Sequence, residues 1–195
     1  ACRRVLRLKF ELGLFDDPYR YCSLDREKTL LYHPEHIASA LDMAKKSIVL
    51  LKNEKQLLPL SKGQKKIAVI GALANENNSP LGSWRVGSDD SSAVSVLDGL
   101  KKYTSDYRYA KGADVVLGPV NFINELNINK TDKSGFNEAI ELARNSEVVI
   151  MVLGEHGFQT GEGRSRSELD LPGVQQQLLE EVYKVNKNIV LVLMN

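Results

Sequence analysis

The sequence predicts an α/β fold: a mostly parallel sheet flanked by helices, which is an α/β sandwich of Rossmann-like topology. Two observations predict it. From residue 67 onward, short apolar runs alternate with segments of helical period, which is typical of parallel strands joined by helices. In addition, residues 148–153 and 189–193 show no polar alternation, which indicates strands buried on both faces. Because the second run ends close to Asn195 and a central strand needs neighbours, we expect the sheet to be incomplete at its C-terminal end.

Two helices are predicted before that alternation begins. The first is amphipathic and ends at Gly13, which supplies a C-terminal stop. The second follows Pro34, whose fixed φ suits a first helical turn, and its apolar residues repeat along one face. The segments concerned are helices at 1–13 and 36–46, an irregular connector at 14–32, and a short strand candidate at 47–51.

Four strands and three helices are predicted in the remainder of the chain. The apolar run that begins at Ile67 ends at Gly71. Ser134 is an N-cap candidate for the second of these helices, because its hydroxyl can accept a hydrogen bond from the first turn. Pro172 opens the third helix. The predicted strands are 67–70, 107–110, 148–153 and 189–193, and the predicted helices are 93–102, 134–145 and 172–185.

The composition argues against several classes of function. The chain carries 26 basic and 25 acidic residues scattered along its length, so no basic patch indicates nucleic acid or an anionic membrane. No apolar run approaches the roughly 18 residues that a membrane-spanning helix requires. Cys2 and Cys22 form neither a disulfide framework nor a zinc spacing, and no cluster of residue types suggests a metal site. Residues 71–78 (GALANENN) lack the glycine fingerprint of dinucleotide sites, so we expect no cofactor.

The loop at residues 154–173 is the strongest candidate for a functional site. It follows a buried strand, and in open α/β sheets ligands bind beyond the carboxyl ends of the strands. The loop is rich in glycine, hydroxyl groups and charge, with Glu155, His156, Glu162 and Arg166 among its polar residues. Carboxylates and imidazoles are the usual groups for general acid and base chemistry, so we expect any catalytic group to lie here.

Five segments of the chain, in this order, carry a family resemblance: 4–19 (RVLRLKFELGLFDDPY), 44–60 (AKKSIVLLKNEKQLLPL), 66–71 (KIAVIG), 81–84 (LGSW) and 154–173. Together they resemble the family-3 glycoside hydrolases, the β-glucosidase and β-xylosidase group. The resemblance implies that residues 1–33 are the last helix of a preceding barrel-type domain with its linker. It implies that residues 34–195 are a truncated α/β sandwich domain.

The resemblance further implies part of a retaining, exo-acting β-glycosidase that hydrolyses terminal β-linked sugars. In that mechanism one carboxylate attacks the anomeric carbon, while a second acts as general acid and then as general base. The family's nucleophile lies in an S-D-W-like motif of its barrel domain. This sequence has no such motif, so the chain alone is expected to be inactive. The implied partners are the N-terminal barrel domain and an oligo- or aryl-β-glycoside, with glucose favoured over xylose or N-acetylglucosamine.

An alternative hypothesis stays open, because a fold does not determine a function. The same strand ends could serve a non-enzymatic Rossmann-like module that binds a ligand or a partner. An upstream barrel with an S-D-W motif would favour the hydrolase, and a different neighbour would favour the module. For the whole protein we favour a periplasmic or secreted location over a cytoplasmic one, although this chain contains no signal region.

Glu162 is the residue that the resemblance implies as general acid/base. It lies between two glycines, several residues beyond the strand and shortly before the Ser165-Arg166 pair, which resembles a polar-Arg pair of the family. Glycine on both sides would let the carboxylate reach a partner domain. Glu155 is the alternative. It immediately follows the strand, so it is better fixed, but we expect it to be directed at the backbone of its own loop.

Three residues are candidates for binding the sugar, and each has a structural alternative. Trp84, the only tryptophan, could hold the face of a pyranose, although packing in the core would explain it as well. Arg166 is expected chiefly to pair with a loop carboxylate and fix the loop, with direct sugar contact as the alternative. His156 could contact the substrate, but a lone histidine is more typically a hydrogen-bonding residue of its loop.

Overall fold

The computed structural model describes residues 1–54, 56–85, 87–88 and 92–195. These residues form two compact units, Ala1–Lys52 and Asn53–Asn195. The second unit begins with a turn that Asn53 closes, because its side-chain amide donates to Leu58 O and its carbonyl accepts from Leu58 N. The assignment of 1–33 and 34–195 to two domains remains a prediction.

The first unit contains three helices, of which the sequence predicted two. They are α1 (Cys2–Glu11), α2 (Leu24–Leu30) and α3 (Pro34–Ser47), and none of them has a buried residue. The helix α2 falls in the segment predicted to be irregular, and Ser23 caps it by accepting from Arg26 N. The strand predicted at 47–51 is wrong, because α3 extends through Ser47. Residues 48–51 pair with no strand among the described residues, and an apolar run without a neighbouring strand cannot form a ladder.

The second unit is built on a parallel sheet, which confirms the predicted fold class. All four predicted strands are present, and every pairing between them is parallel. Their order across the sheet is β2-β1-β3-β4, which places the third strand beside the first. The strands are β1 (Ile67–Ile70), β2 (Tyr107–Ala110), β3 (Val148–Gly154) and β4 (Ile189–Met194).

Helices cover both faces of this sheet. On one face, α5 and α6 pack Ala139 and Leu178 against a cluster that includes Ile70 and Met151. On the other face, α4 and a 3-10 turn pack against Val69 and the remaining alternate residues of the strands. The helices are α4 (Val96–Leu100), α5 (Phe136–Arg144) and α6 (Gln175–Val185), and the 3-10 turns are Ala72–Asn75, Ser79–Leu81 and Gly157–Gln159.

The two strands predicted to be buried on both faces differ in the structure. Every residue of β3 is buried, as expected for an inner strand. In β4, however, Leu191 is 38% exposed and Leu193 is 43% exposed. The expectation for this strand is therefore wrong within the described chain. The reason is its position, because β4 is the edge strand of the described sheet and only β3 pairs with it.

The helix starts also differ from the predictions. Ser134 does not cap α5, since its N–H donates to Asp132 Oδ1 and Gly135 occupies the cap position. The helix α6 begins at Gln175 rather than at Pro172. Gly173 intervenes with φ +64°, a left-handed conformation that a continuous helix does not contain. Local sequence signals therefore located both helices but placed their first turns too early.

Candidate functional site

The candidate site is the loop from Glu155 to Gly173, which joins the carboxyl end of β3 to α6. Gln175 holds the two ends of this loop together and is only 2% exposed. Its side-chain oxygen accepts from Gly154 N (2.9 Å), and its side-chain nitrogen donates to Gly154 O (2.8 Å) and Pro172 O (3.0 Å). No local pattern indicated this role, because Gln175 is the first of three consecutive glutamines.

Glu155 forms an ion pair with Arg166 across the loop. The side chains of Glu155 and Arg166 are 15% and 28% exposed, so the pair is largely shielded. The Arg166 guanidinium donates to the Glu155 carboxylate and also to Asp170 O (2.7 Å). The expected pairing of Arg166 with a loop carboxylate is therefore present. The expectation that Glu155 is directed at the loop backbone is wrong, because a guanidinium offers a stronger charge-assisted bond than a neutral N–H.

His156 is built into the backbone of the loop. Its Nδ1 accepts from Phe158 N (3.2 Å), and its own N–H donates to Gln159 Oε1 (2.8 Å), so it caps the 3-10 turn Gly157–Gln159. Burial lowers the pKa of the His156 imidazole, the nearby Arg85 guanidinium lowers it further, and the Glu76 carboxylate opposes both effects. His156 thus makes the loop hydrogen bonds expected of a lone histidine.

Glu162 lies at the exposed apex of the loop. Among the described residues, its carboxylate makes no hydrogen bond or ion pair, which distinguishes it from Glu155. The residue before it, Gly161, has φ +105°, and a Cβ at that position would overlap Ser83 Oγ. The backbone is therefore packed closely beside Glu162, whereas the carboxylate itself is open to solvent.

Trp84 is 65% exposed, so the alternative that it packs in the core is wrong. Its ring centroid lies 6.1 Å from that of Phe122, which in turn lies 6.3 Å from that of Phe158. We refer to Trp84, Phe122 and Phe158 as the aromatic cluster. The sequence analysis missed Phe122, which lies in a segment without helical or strand period, and no local signal indicated it. Trp84 thus presents most of its surface to solvent and contacts a second aromatic ring, that of Phe122.

Arg164 ties the loop to a distant segment of the chain. Its Nη2 donates to Phe122 O (2.7 Å) and to Asn124 O (2.9 Å). An open cavity of about 830 Å³ lies beside this contact. Its lining includes Phe158, Arg164, Arg166 and Glu168, so it combines an aromatic ring with charges of both signs.

Neither a metal site nor a membrane span emerges from the described part of the chain. Within residues 1–54, 56–85, 87–88 and 92–195, no three His, Cys, Asp or Glu side chains are grouped closely enough to hold a metal ion. In the same residues, no helix has the length and apolar character needed to cross a membrane.

Comparison with known proteins identifies relatives over nearly the whole chain. Residues 48–195 match the family model described as the glycosyl hydrolase family 3 C-terminal domain. All of the chain aligns at 39% identity with a beta-xylosidase of Formosa agariphila, covering 26% of that protein. All of it also aligns at 34% identity with a periplasmic beta-glucosidase of Salmonella typhimurium, covering 27% of that protein.

Solved structures give the same result for the fold. A beta-glucosidase involved in saponin metabolism from intestinal bacteria superposes with a TM-score of 0.80 at 31% identity, over 98% of this chain and 28% of that one. The glucose complex of a beta-glucosidase from Listeria innocua gives a TM-score of 0.80 at 31% identity, over 98% and 24% of the two chains. The chain therefore spans about a quarter of the length of these relatives.

Proposed function

This chain belongs to glycoside hydrolase family 3, and on that basis we propose that it is the part of a retaining, exo-acting β-glycosidase that supplies the general acid/base. The observation that carries the proposal is Glu162. It is an exposed carboxylate without a partner among the described residues, on a loop that follows the inner strand β3. This is the edge at which open α/β sheets bind their ligands.

In this proposal Glu162 protonates the leaving oxygen of the substrate and then removes a proton from the attacking water. Both steps require a carboxylate that can reach the glycosidic oxygen and exchange its proton. Glu162 meets that requirement because no described side chain holds its carboxylate, whereas the backbone beside it is packed against Ser83. The nucleophile would come from a barrel domain in the whole protein.

Glu155 is less suited to the same role. Its carboxylate is largely buried and accepts from Arg166, so using it as an acid would require breaking a shielded ion pair. Arg166 in turn donates to the Asp170 backbone, so the pair connects the start of the loop with its end. We therefore propose that Glu155 and Arg166 fix the loop, as do the hydrogen bonds of His156.

Trp84 is the proposed sugar-binding residue of this part of the protein. A pyranose presents an apolar face of C–H groups, and an exposed indole plane is suited to pack against it. Trp84 is exposed, and its ring makes a tilted contact with that of Phe122, so the indole is both accessible and held by a neighbouring ring. Oligo- and aryl-β-glucosides are the proposed substrates.

Exposed apolar side chains of the N-terminal unit favour the proposal that a barrel domain precedes it. Its helices expose large apolar side chains, among them Val5, Leu8 and Phe10, which are 55%, 55% and 75% exposed. Exposed apolar side chains in such number mark a surface that packs against another part of a protein. We propose that residues 1–33 close the barrel-type domain, and that residues 34–195 belong to the α/β sandwich.

The proposal is tested by replacing Glu162 with alanine in the full-length protein. We expect kcat/KM for substrates with poor leaving groups, such as cellobiose, to fall by about 10²- to 10⁴-fold, which is the usual contribution of general acid catalysis. An activated substrate such as 2,4-dinitrophenyl β-glucoside needs no protonation and should lose far less. Added azide should restore its turnover and yield β-glucosyl azide, because azide attacks the glycosyl-enzyme without a general base.

Glu138→Ala is the control, since Glu138 is an exposed glutamate on α5, outside the loop and its cavity. It should behave like the unmodified protein. Full activity of Glu162→Ala on cellobiose would remove Glu162 from the mechanism and transfer the role to Glu155. If the unmodified protein hydrolysed no β-glucoside or β-xyloside, the glycosidase proposal itself would fail, and a ligand- or partner-binding module would become the better hypothesis.

A further inference from the structure

A turn at residues 121–124 contacts the Glu162 loop, although 40 or more residues separate the two bonded segments in sequence. Asn121 builds this turn, because its Oδ1 accepts from Ile123 N (3.1 Å) and from Asn124 N (2.7 Å). Both N–H groups are thus directed to one side chain. The carbonyls of Phe122 and Asn124 lie close enough together to share one donor.

Arg164 supplies that donor, two residues beyond Glu162. Its Nη2 bonds both carbonyls, at 2.7 Å and 2.9 Å. A guanidinium is planar, is charged at any working pH and carries five N–H donors in fixed directions, so one arginine can hold two carbonyls in a defined geometry. The contact therefore fixes the C-terminal side of the loop apex to the turn at 121–124.

The same turn also supports Trp84. The ring of Phe122 lies between those of Trp84 and Phe158 in the aromatic cluster. On its N-terminal side, the loop apex meets the Trp84 segment directly, since a Cβ on Gly161 would overlap Ser83 Oγ and come within 3.7 Å of Trp84 Nε1. Contacts on both sides of Glu162 therefore connect the loop with Trp84. Gly161 packs against Ser83, next to Trp84, and Arg164 bonds the turn whose Phe122 ring contacts Trp84.

From this geometry we infer that Arg164 is a positioning residue, which, through the turn at 121–124, sets the place of the Glu162 carboxylate relative to the Trp84 platform. This inference rests on the proposed function. Arg164 touches no reacting atom in this role. It keeps the acid at the correct distance from a leaving group that rests on Trp84, and a misplacement of about 1 Å is enough to cost about 100-fold in rate.

The test compares two substrates in the full-length protein with Arg164→Met. We expect kcat/KM for cellobiose, whose leaving group needs protonation, to fall by about 10- to 100-fold. We expect kcat/KM for 2,4-dinitrophenyl β-glucoside to change little, because its leaving group departs without an acid. Arg164→Lys should recover only part of the loss, since an ammonium can donate to both carbonyls but lacks the fixed direction of a planar guanidinium.

Asn121→Ala provides a second, independent route to the same contact. It removes the acceptor that shapes the turn, leaves Arg164 in place, and should give the same selective loss on cellobiose. Combined with Arg164→Met it should add little, because both changes break one unit. Arg144→Met is the control: Arg144 lies on α5, pairs with Glu141 at 3.3 Å on the surface and should leave both substrates unaffected.

The outcomes separate the inference from the proposed function. If Arg164→Met and Asn121→Ala lower kcat/KM for both substrates by the same factor, Arg164 is only a stabilising residue and the inference is overturned. The same holds if neither variant changes activity. If Arg164→Met does not fold, Asn121→Ala decides. If Glu162→Ala itself shows no dependence on the leaving group, the proposed function fails first, and the inference fails with it.

Discussion

Replacing Gln175 with methionine tests the way in which the candidate loop is anchored. The side-chain amide of Gln175 is buried and makes three hydrogen bonds, two to the backbone of Gly154 and one to Pro172 O. Methionine has a similar length and volume but can satisfy none of these groups. The change therefore removes the polar anchor at both ends of the loop without leaving a large cavity.

The expected loss of stability follows from the groups left behind. A buried donor or acceptor that loses its partner costs about 1–3 kcal/mol. The Gly154 N–H should account for most of this, because its single donor bonds Gln175 Oε1, whereas each carbonyl oxygen has a second lone pair. The apolar methionine side chain offsets part of the cost. We expect Gln175→Met to lower the free energy of unfolding of the second unit by about 2 kcal/mol.

Urea unfolding followed by tryptophan fluorescence measures this effect. Trp84 is the only tryptophan of these 195 residues, so in the isolated chain the signal reports on the second unit alone. Gln176→Met is the matched control, because the adjacent Gln176 is exposed and its side chain donates, among the described residues, only to Glu180 one turn along α6. That surface pair contributes about 0.2–0.5 kcal/mol. Equal effects of the two substitutions, or a loss below about 1 kcal/mol for Gln175→Met, would show that the anchor is not important for stability.

Two further predictions concern the same region. Gly173→Ala should destabilise the second unit by more than about 1 kcal/mol, because φ at Gly173 is +64° and the new Cβ would overlap Asn129 O. Gly63→Ala is the control, because it adds a methyl group in open space and should be neutral in the same unfolding assay. The His156 ring should titrate below about 6.5 by NMR, because burial lowers its pKa. The unfolded chain then binds this proton more readily. The stability due to His156 is therefore complete above about pH 6.5 and declines as the pH falls through the pKa of the folded state. A measured pKa of the His156 ring at or above about 6.5 would contradict the effect of burial.

The sequence predicted the sheet well because its signals are local. The strand β3 consists of seven residues that are all buried, as its uninterrupted apolar run predicted, although the same pattern in β4 belongs to an edge strand of the described sheet. The position of the candidate loop follows from that strand, because polar residues after a buried parallel strand must lie at its carboxyl edge. The two helix starts were misplaced because Ser134 and Pro172 are common at helix N-termini, but the contacts of their neighbours determine where each helix begins.

The internal organisation of the site could not be predicted in the same way. The contacts of Arg164 with the turn at 121–124, and of Gln175 with Gly154, join residues 21 to 42 positions apart. No periodicity or spacing encodes such contacts, since they depend on where the folded chain brings each loop. Trp84 was ambiguous for a related reason: an aromatic residue in a loop can be buried or exposed, and the tertiary structure alone decides which.

The two glutamates of the loop show how the surroundings divide roles between identical side chains. Glu155 lies directly after β3, where its N–H donates to Met194 O (2.7 Å), and Arg166 and Asp170 extend its ion pair to the far end of the loop. The Glu155 carboxylate is thus already engaged in an ion pair that stabilises the loop. Glu162 lies where Gly161 and Arg164 fix the backbone on either side but no described group holds the carboxylate. A general acid/base requires that combination, because a fixed backbone limits the entropy lost in reaching the transition state and a free carboxylate can still exchange its proton.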